Sequence, residues 1–356
     1  MKRYTLLLLA ALTGLGTLAQ EVRQVNIGDN LNYGITYSLP VTAIRVNVKA
    51  HCKKTIAGQF APYAEKFLGL QGVALENQTE YTIEQITLEG VAKPDTSRTY
   101  HIDFSEKGYL PAFYLTAEGG LWGINQKPEV KVSDEETEVP TQTKRILLKP
   151  SDVLTSEILK AGSKAKQADL CAQEIFSIRE SRNELIRGEA DNTPSDGKQL
   201  QLMLDNLTAQ EEALLSLFVG NTTESDVCQS FDIVTTEEVD RVLAFRFSRE
   251  LGFVATDDYA GAPYYISVDI LEDNRLTDLD PKARKKADHG VAYCLPGKAR
   301  VTLFSASETL AQGEMYMAQF GHVEQLPGAQ FTDKKRPFAA IFTPSTGAVR
   351  LFEPTL

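Results

Sequence analysis

Apolar and polar residues alternate through "AIRVNV" (Ala43 to Val48) and "YTIEQITL" (Tyr81 to Leu88). A period of two sends successive side chains to opposite faces of a strand, so residues from about 25 to 143 read as β-structure. In "FYLTAEGGLWGI" (Phe113 to Ile124) a Gly-Gly turn separates two apolar arms, which predicts a hairpin. One short helix is predicted within "PYAEKFLGL" (Pro62 to Leu70). The acidic, Thr-rich "VSDEETEVPTQTK" (Val132 to Lys144) reads as a linker or an exposed edge.

From Ser151 to Val219 the rhythm changes. Leu154, Ile158, Ala161, Ala165, Ala168, Ala172 and Ile175 step by four and three, and so do Leu200, Leu204, Leu207, Glu211, Leu214 and Phe218. Each set falls on one stripe of a helix, and two such stripes bury each other. Ser151 is expected to cap the first helix and Gly188 to end it; Asp196 with Gln199 resembles a capping box opening the second, which Gly220 closes. The short connection predicts an antiparallel hairpin. Folding it about Asn192 brings Arg179 near Glu211, a charged interruption of the second stripe, so Arg179 and Glu211 are the candidate structural pair. The charge-rich stretch from Ile178 to Gln199 therefore reads as a helix surface running into a turn rather than an acid–base site.

The β-pattern returns after Gly220. In "RVLAFRFS", Leu243, Phe245 and Phe247 are expected on one face. "YYISVDI", "KARVTLF" and "AAIFTPSTGAVRLF" follow. "GITYSLPVTA" (Gly34 to Ala43) is echoed by "GVAYCLPGKA" (Gly290 to Ala299), which reads either as two related β-domains or as chance likeness between turn segments. The expected fold is α+β and mainly β: two β-sandwich-like or β-sheet domains separated by a long antiparallel α-helical hairpin. The expected divisions are a leader at 1–19, a β-rich region at 20–150, the hairpin at 151–220 and a second β-rich region at 221–356.

The first residues add an address. Lys2 and Arg3, the apolar run Leu6 to Leu12 and the small-residue site Thr17-Leu18-Ala19 read as an export signal cleaved near Ala19-Gln20. That run is shorter than the ~20 residues a membrane span needs, and no later segment is apolar enough. The expectation is an exported protein, periplasmic or extracellular, without a transmembrane segment. The formal charge of −11 becomes −13 without the leader, which holds Lys2, Arg3 and no acid. Such an acidic chain argues against nucleic acid as a partner. The basic run Lys282 to Lys286 reads as a solvated loop. Hydrophobic content of 42% is ample for packed cores.

Candidate chemistry is sparse. Cys52, Cys171, Cys228 and Cys294 permit two disulfides in three pairings, though a chain of this size does not need them and buried free thiols are favoured. No Cys or His spacing predicts a metal site, and no motif predicts a cofactor. His101, Asp103 and Ser105 are the residue types of a hydrolase triad, but alternate strand residues stand roughly 6–7 Å apart, which favours a solvent-facing polar row. His51-Cys52 cannot form a dyad, because neighbours on a strand face opposite ways. The acidic "DILEDNRLTDLD" (Asp269 to Asp280) lacks calcium-loop spacing and reads as a polar connection. Trp122, Tyr259, Tyr264 and Tyr265 are candidate stacking residues for a sugar, against the commoner reading of aromatics as sheet packing.

Taken together, "IRESRNELIRGEADNTPSDG", "MLDNLTAQEEALLSLFVG", "YSLP", "FRFS", "GAPYY", "LPGKA" and "AQFG" resemble the domain-of-unknown-function family 4831. The resemblance implies an exported protein of anaerobic Gram-negative gut bacteria and carries over no catalytic or binding residue. The leading expectation is a non-enzymatic cell-envelope binding or scaffold module whose partner is an envelope protein or a glycan. A carbohydrate-binding protein and a secreted hydrolase with a site assembled across domains are the alternatives.

Overall fold

The computed structural model describes residues 22–25, 33–104, 110–129, 148–190, 196–275 and 290–355. The leader, the acidic stretch 132–144, Ser105, the turn at Asn192 and the basic run 282–286 lie outside the described residues.

Strand β2 (Gly34–Ile56) runs antiparallel to β3 (Gln78–Asp103) for almost its whole length, from Gly34 opposite Asp103 to Thr55 opposite Gln78. Short β1 (Val22–Gln24) adds to the far side of β3, and β6 (Asn221–Ile233) pairs with the other edge of β2, giving the order β1-β3-β2-β6. A second antiparallel sheet has β7 (Val239–Ser248), β8 (Gly252–Val254), β9 (Ala262–Glu272), β10 (Gly290–Phe304) and β11 (Thr309–Pro327) in the order β11-β10-β9-β7-β8. A third joins β4 (Phe113–Leu115), β5 (Leu121–Ile124), β12 (Phe338–Phe342) and β13 (Val349–Pro354) in the order β13-β12-β5-β4.

Two apolar cores lie between these layers. Ile44, Val46, Val48 and Ala50 of β2 face Phe245, Phe247, Ile266, Val268, Val301 and Leu303 of the second sheet. Tyr37, Leu39 and Ile102 pack instead with Leu121, Ile124, Val291, Ala340 and Phe342. β2 and β10 each serve both cores, and each changes core at a register break: Ser38/Pro40 in β2 and Leu295/Gly297 in β10. These are the Leu-Pro pairs of the internal echo. Proline has no N–H for the ladder, and a bulge bends the strand, so the repeated Leu-Pro marks two matching corners.

The pairings also correct the expected separation into two β-regions. β6 follows the helices yet completes the N-terminal sheet, and β5 pairs with β12 across the chain. Both cores draw on both regions, because each sheet has an apolar face that only the other part of the chain can cover. A smaller correction falls in β7. A register shift between Leu243 and Phe245 leaves Val242, rather than Leu243, packed on the core with Phe245 and Phe247.

Three helices replace the single first helix expected from Ser151. They are α2 (Pro150–Val153), α3 (Ser156–Lys160) and α4 (Lys164–Arg187), following the short α1 (Ala64–Leu68). Leu154 and Ala161 are extended, and Thr155 and Ser163 accept hydrogen bonds from Ile158 N and Lys166 N, so local capping interrupts the apolar period. Gly188 ends α4 at φ 72°, and Asp196 caps α5 (Gly197–Val219) by accepting from Lys198 N. α4 and α5 pack together as a hairpin with Phe60 and Ala64, so that Ala168, Cys171 and Ala172 meet Leu214, Leu217 and Phe218. Gly220 closes α5 at φ 78°, where a Cβ would stand 2.1 Å from the Ile56 carbonyl oxygen; glycine lets the helix end abut the end of β2. No helix of the described residues is long and apolar enough to cross a membrane.

Candidate functional site

Arg179 on α4 and Glu211 on α5 are in contact. Arg179 Nε donates to Glu211 Oε1 at 2.5 Å, and Arg182 Nη1 donates to Oε2 at 2.6 Å. Glu211 is buried while both arginines keep partial access to water. Arg182 was not singled out from sequence, although it lies three residues beyond Arg179 and so shares its helix face. The Arg179 guanidinium also lies 5.8 Å from the Phe176 ring centre. Phe176, Ile186, Leu202 and Met203 of the hairpin are exposed.

The four candidate stacking aromatics do not form one platform. Trp122 is half-buried in β5, in the third sheet, whereas Tyr264 and Tyr265 belong to β9 of the second. Tyr264 stacks on Phe245 at 4.6 Å and 7° against the first core, and its burial raises the phenol pKa. Tyr265 takes the opposite face of β9, beneath the Arg241 guanidinium at 4.8 Å and beside Phe304. Tyr259 is the open one: it is 85% exposed, with the Arg246 guanidinium 4.7 Å from its ring centre. Arg246 is itself held by the carbonyls of Thr256 and Gly261 at 2.8 and 3.0 Å.

A cleft of about 380 Å³ opens where the strand corner meets the third sheet. Gly90, Pro296, Met315, Tyr316, Thr343 and Ser345 are among its lining residues. Ser345 of its lining connects to a buried polar junction. The Gln319 side chain accepts from Thr42 N at 3.0 Å and donates to Thr42 O and Thr235 O, each at 2.9 Å; Thr42 Oγ1 donates to Ser345 O at 2.7 Å.

Hydroxyl, imidazole and carboxylate do meet on β2 and β3. Thr36 Oγ1 and His101 Nδ1 share a hydrogen bond of 2.7 Å, and His101 Nε2 lies 3.2 Å from Asp103 Oδ1. This corrects the spacing argument: it measures backbone separation, which the length of an imidazole spans. It also corrects the expectation of a solvent-facing row, because His101 is only 3% exposed. Gly34 makes the room, since a Cβ there would come within 2.7 Å of His101 Nε2. Thr36 opposes His101 directly across the strands, so the group pins β2 to β3.

A second polar group faces outward on the β3-β2-β6 sheet. His51 Nδ1 lies 3.2 Å from Asp226 Oδ1 and 3.8 Å from Glu84 Oε1. Lys49 Nζ holds the other oxygens, Asp226 Oδ2 at 2.8 Å and Glu84 Oε2 at 3.4 Å. The hydrogen bond from Lys49, followed by that from His51, lowers the Asp226 pKa. The three residues sit on three different strands, so no sequence spacing could have revealed them.

All four cysteines are free thiols, three of them buried and Cys228 exposed. Burial pushes both the Cys171 and Cys294 thiols up to about 11. Neither is a poised nucleophile near neutral pH.

The sheets and helices define a mainly β protein of the α+β class. The chain belongs to the family described as a domain of unknown function (DUF4831), whose family model matches residues 33–350. No curated protein matches the chain, and no solved structure does.

Proposed function

We propose that this is an exported cell-envelope protein that acts as a non-enzymatic binding or scaffold module, its helical hairpin docking a protein partner through apolar contacts. The observation that carries the reading is the exposure of Phe176, Ile186, Leu202 and Met203 on α4 and α5. These are the apolar side chains through which the hairpin would dock a partner. The reading also draws on Lys2, Arg3 and the apolar run Leu6 to Leu12, whose pattern fits an export signal.

The test is cross-linking in intact cells, followed by identification of the captured proteins. A specific partner recovered with the parent chain, and lost with Phe176→Ser, Ile186→Ser and Leu202→Ser combined, is the expected result. Failure to recover a specific partner, together with glycan turnover by the pure protein, would overturn the reading.

A second reading, carbohydrate binding, has Tyr259 in its favour. One side of this exposed ring is braced by Arg246, which leaves the other side open to stack on a sugar. Loss of glycan retention with Tyr259→Ala is its expected signature.

A further inference from the structure

We propose that His51, Glu84 and Asp226 form a binding site for a divalent first-row transition-metal ion, with Zn²⁺ as the reference ligand. The proposal is independent of the partner-binding reading. One ligand comes from each of three adjacent strands: His51 from β2, Glu84 from β3 and Asp226 from β6. One donor atom from each of the three lies within 4.8 Å of the other two. Around a tetrahedral ion with bonds of about 2.0–2.1 Å, neighbouring donor atoms stand about 3.3 Å apart. The Nδ1-to-Oδ1 distance of 3.2 Å and the Nδ1-to-Oε1 distance of 3.8 Å are close to that edge, so small side-chain movements complete the triad.

The carboxylates divide their oxygens in a way that favours this use. Lys49 takes Asp226 Oδ2 and Glu84 Oε2, which leaves Oδ1 and Oε1 turned toward the imidazole. Lys49 is therefore a positioning residue, orienting two ligands from behind as outer partners of metal sites do. On the far side of the ring Glu224 Oε2 faces His51 Nε2 at 3.8 Å. The ion would take the place of the proton that Nδ1 shares with Asp226 Oδ1, and the carboxylate facing Nε2 would then favour the remaining ring proton there. Imidazole with carboxylates suits zinc and its first-row neighbours, and the open side of the sheet leaves a coordination position for water.

The ion would act as a staple. Within the β3-β2-β6 sheet, β6 is an edge strand paired with β2 on one side, and its residues from Asn221 to Ser230 are exposed. A metal bridging β3, β2 and β6 ties that edge to the two strands behind it. Binding only the folded arrangement, it raises stability by mass action.

The experiment uses the full mature chain with Cys228→Ser, so that the exposed thiol offers no competing ligand. Zn²⁺ titration by calorimetry is paired with thermal unfolding, with and without the metal. Saturable uptake of one equivalent and a rise in Tm are expected, and His51→Gln or Asp226→Asn weakens binding by about tenfold or more and removes the Tm rise. Metal-free Tm values of the variants report whether they fold. Absence of saturable binding in the parent, or equal binding in the folded variants, would overturn the proposal.

Discussion

Arg179 and Glu211 join the two long helices through a hydrogen bond of 2.5 Å between Nε and Oε1. Because Arg182 takes the second oxygen, one buried carboxylate balances two guanidinium groups. Removing that carboxylate leaves two neighbouring cations without their shared anion. We expect Glu211→Leu to destabilise the protein by about 1–2 kcal/mol, the arginines' partial exposure limiting the loss. Arg179→Leu and Arg182→Leu, added to Glu211→Leu, should recover most of it. Urea unfolding measures both, and unchanged stability in the single variant would contradict the account.

Gln319 reaches from β11 to β2 and satisfies both backbone groups of the fully buried Thr42 while also binding Thr235 O. An apolar replacement keeps the volume but strands one donor and two acceptors at the strand corner. Gln319→Leu should cost about 2–4 kcal/mol, since each unpaired buried polar group costs about 1–3 kcal/mol and some recover water. A drop in Tm, read by calorimetry, is the expected outcome; an unchanged Tm would show that the junction is dispensable.

The thiols differ in access. Cys52, Cys171 and Cys294 are buried and Cys228 is exposed. In native buffer near neutral pH, a maleimide should label one thiol per chain, and Cys228→Ser should abolish the reaction. Adding denaturant should release the other three. Fast native labelling of the Cys228→Ser variant would show that the cores open more readily than their packing implies.

Asp232 accepts from Arg45 Nε and Nη2 at 2.7 and 2.9 Å, and Lys93 Nζ stands 2.7 Å from Oδ2. The Arg45 hydrogen bond, then that of Lys93, holds its carboxyl well below the ordinary 3.8. As pH falls, the unfolded chain takes up this proton before the folded one. The stabilisation is therefore complete above about pH 4 and lost as pH falls through the depressed folded value. Asp232→Asn should lower stability at pH 7 and flatten its fall between about pH 5 and pH 2. Parallel urea midpoints across that range provide the check; parallel curves for parent and variant would remove Asp232 from the account.

Much of the secondary structure was legible because it depends on neighbours in the chain. The alternation in "AIRVNV" does place Ile44, Val46 and Val48 in a core, and the Gly-Gly turn does separate paired strands β4 and β5. The pairing of Arg179 with Glu211 followed from helical spacing plus one turn. The single long first helix did not form, because Thr155 and Ser163 make capping bonds that a count of apolar residues overlooks. The Thr36–His101–Asp103 contact was missed for a different reason. Thr36 comes to His101 only through strand pairing, 65 residues away.

The sequence by itself determined the periods, the helix stops at Gly188 and Gly220 and the membership of the family. Those are properties of short segments, set by side-chain spacing and backbone freedom. Only the tertiary structure decided that β6 completes the first sheet, that β5 joins β12, and that His51, Glu84 and Asp226 converge. An apolar strand face specifies that it must be covered but not by which partner. That choice rests on the joint burial of surfaces far apart in the chain, and the polar groups on the opposite faces are brought together as its consequence.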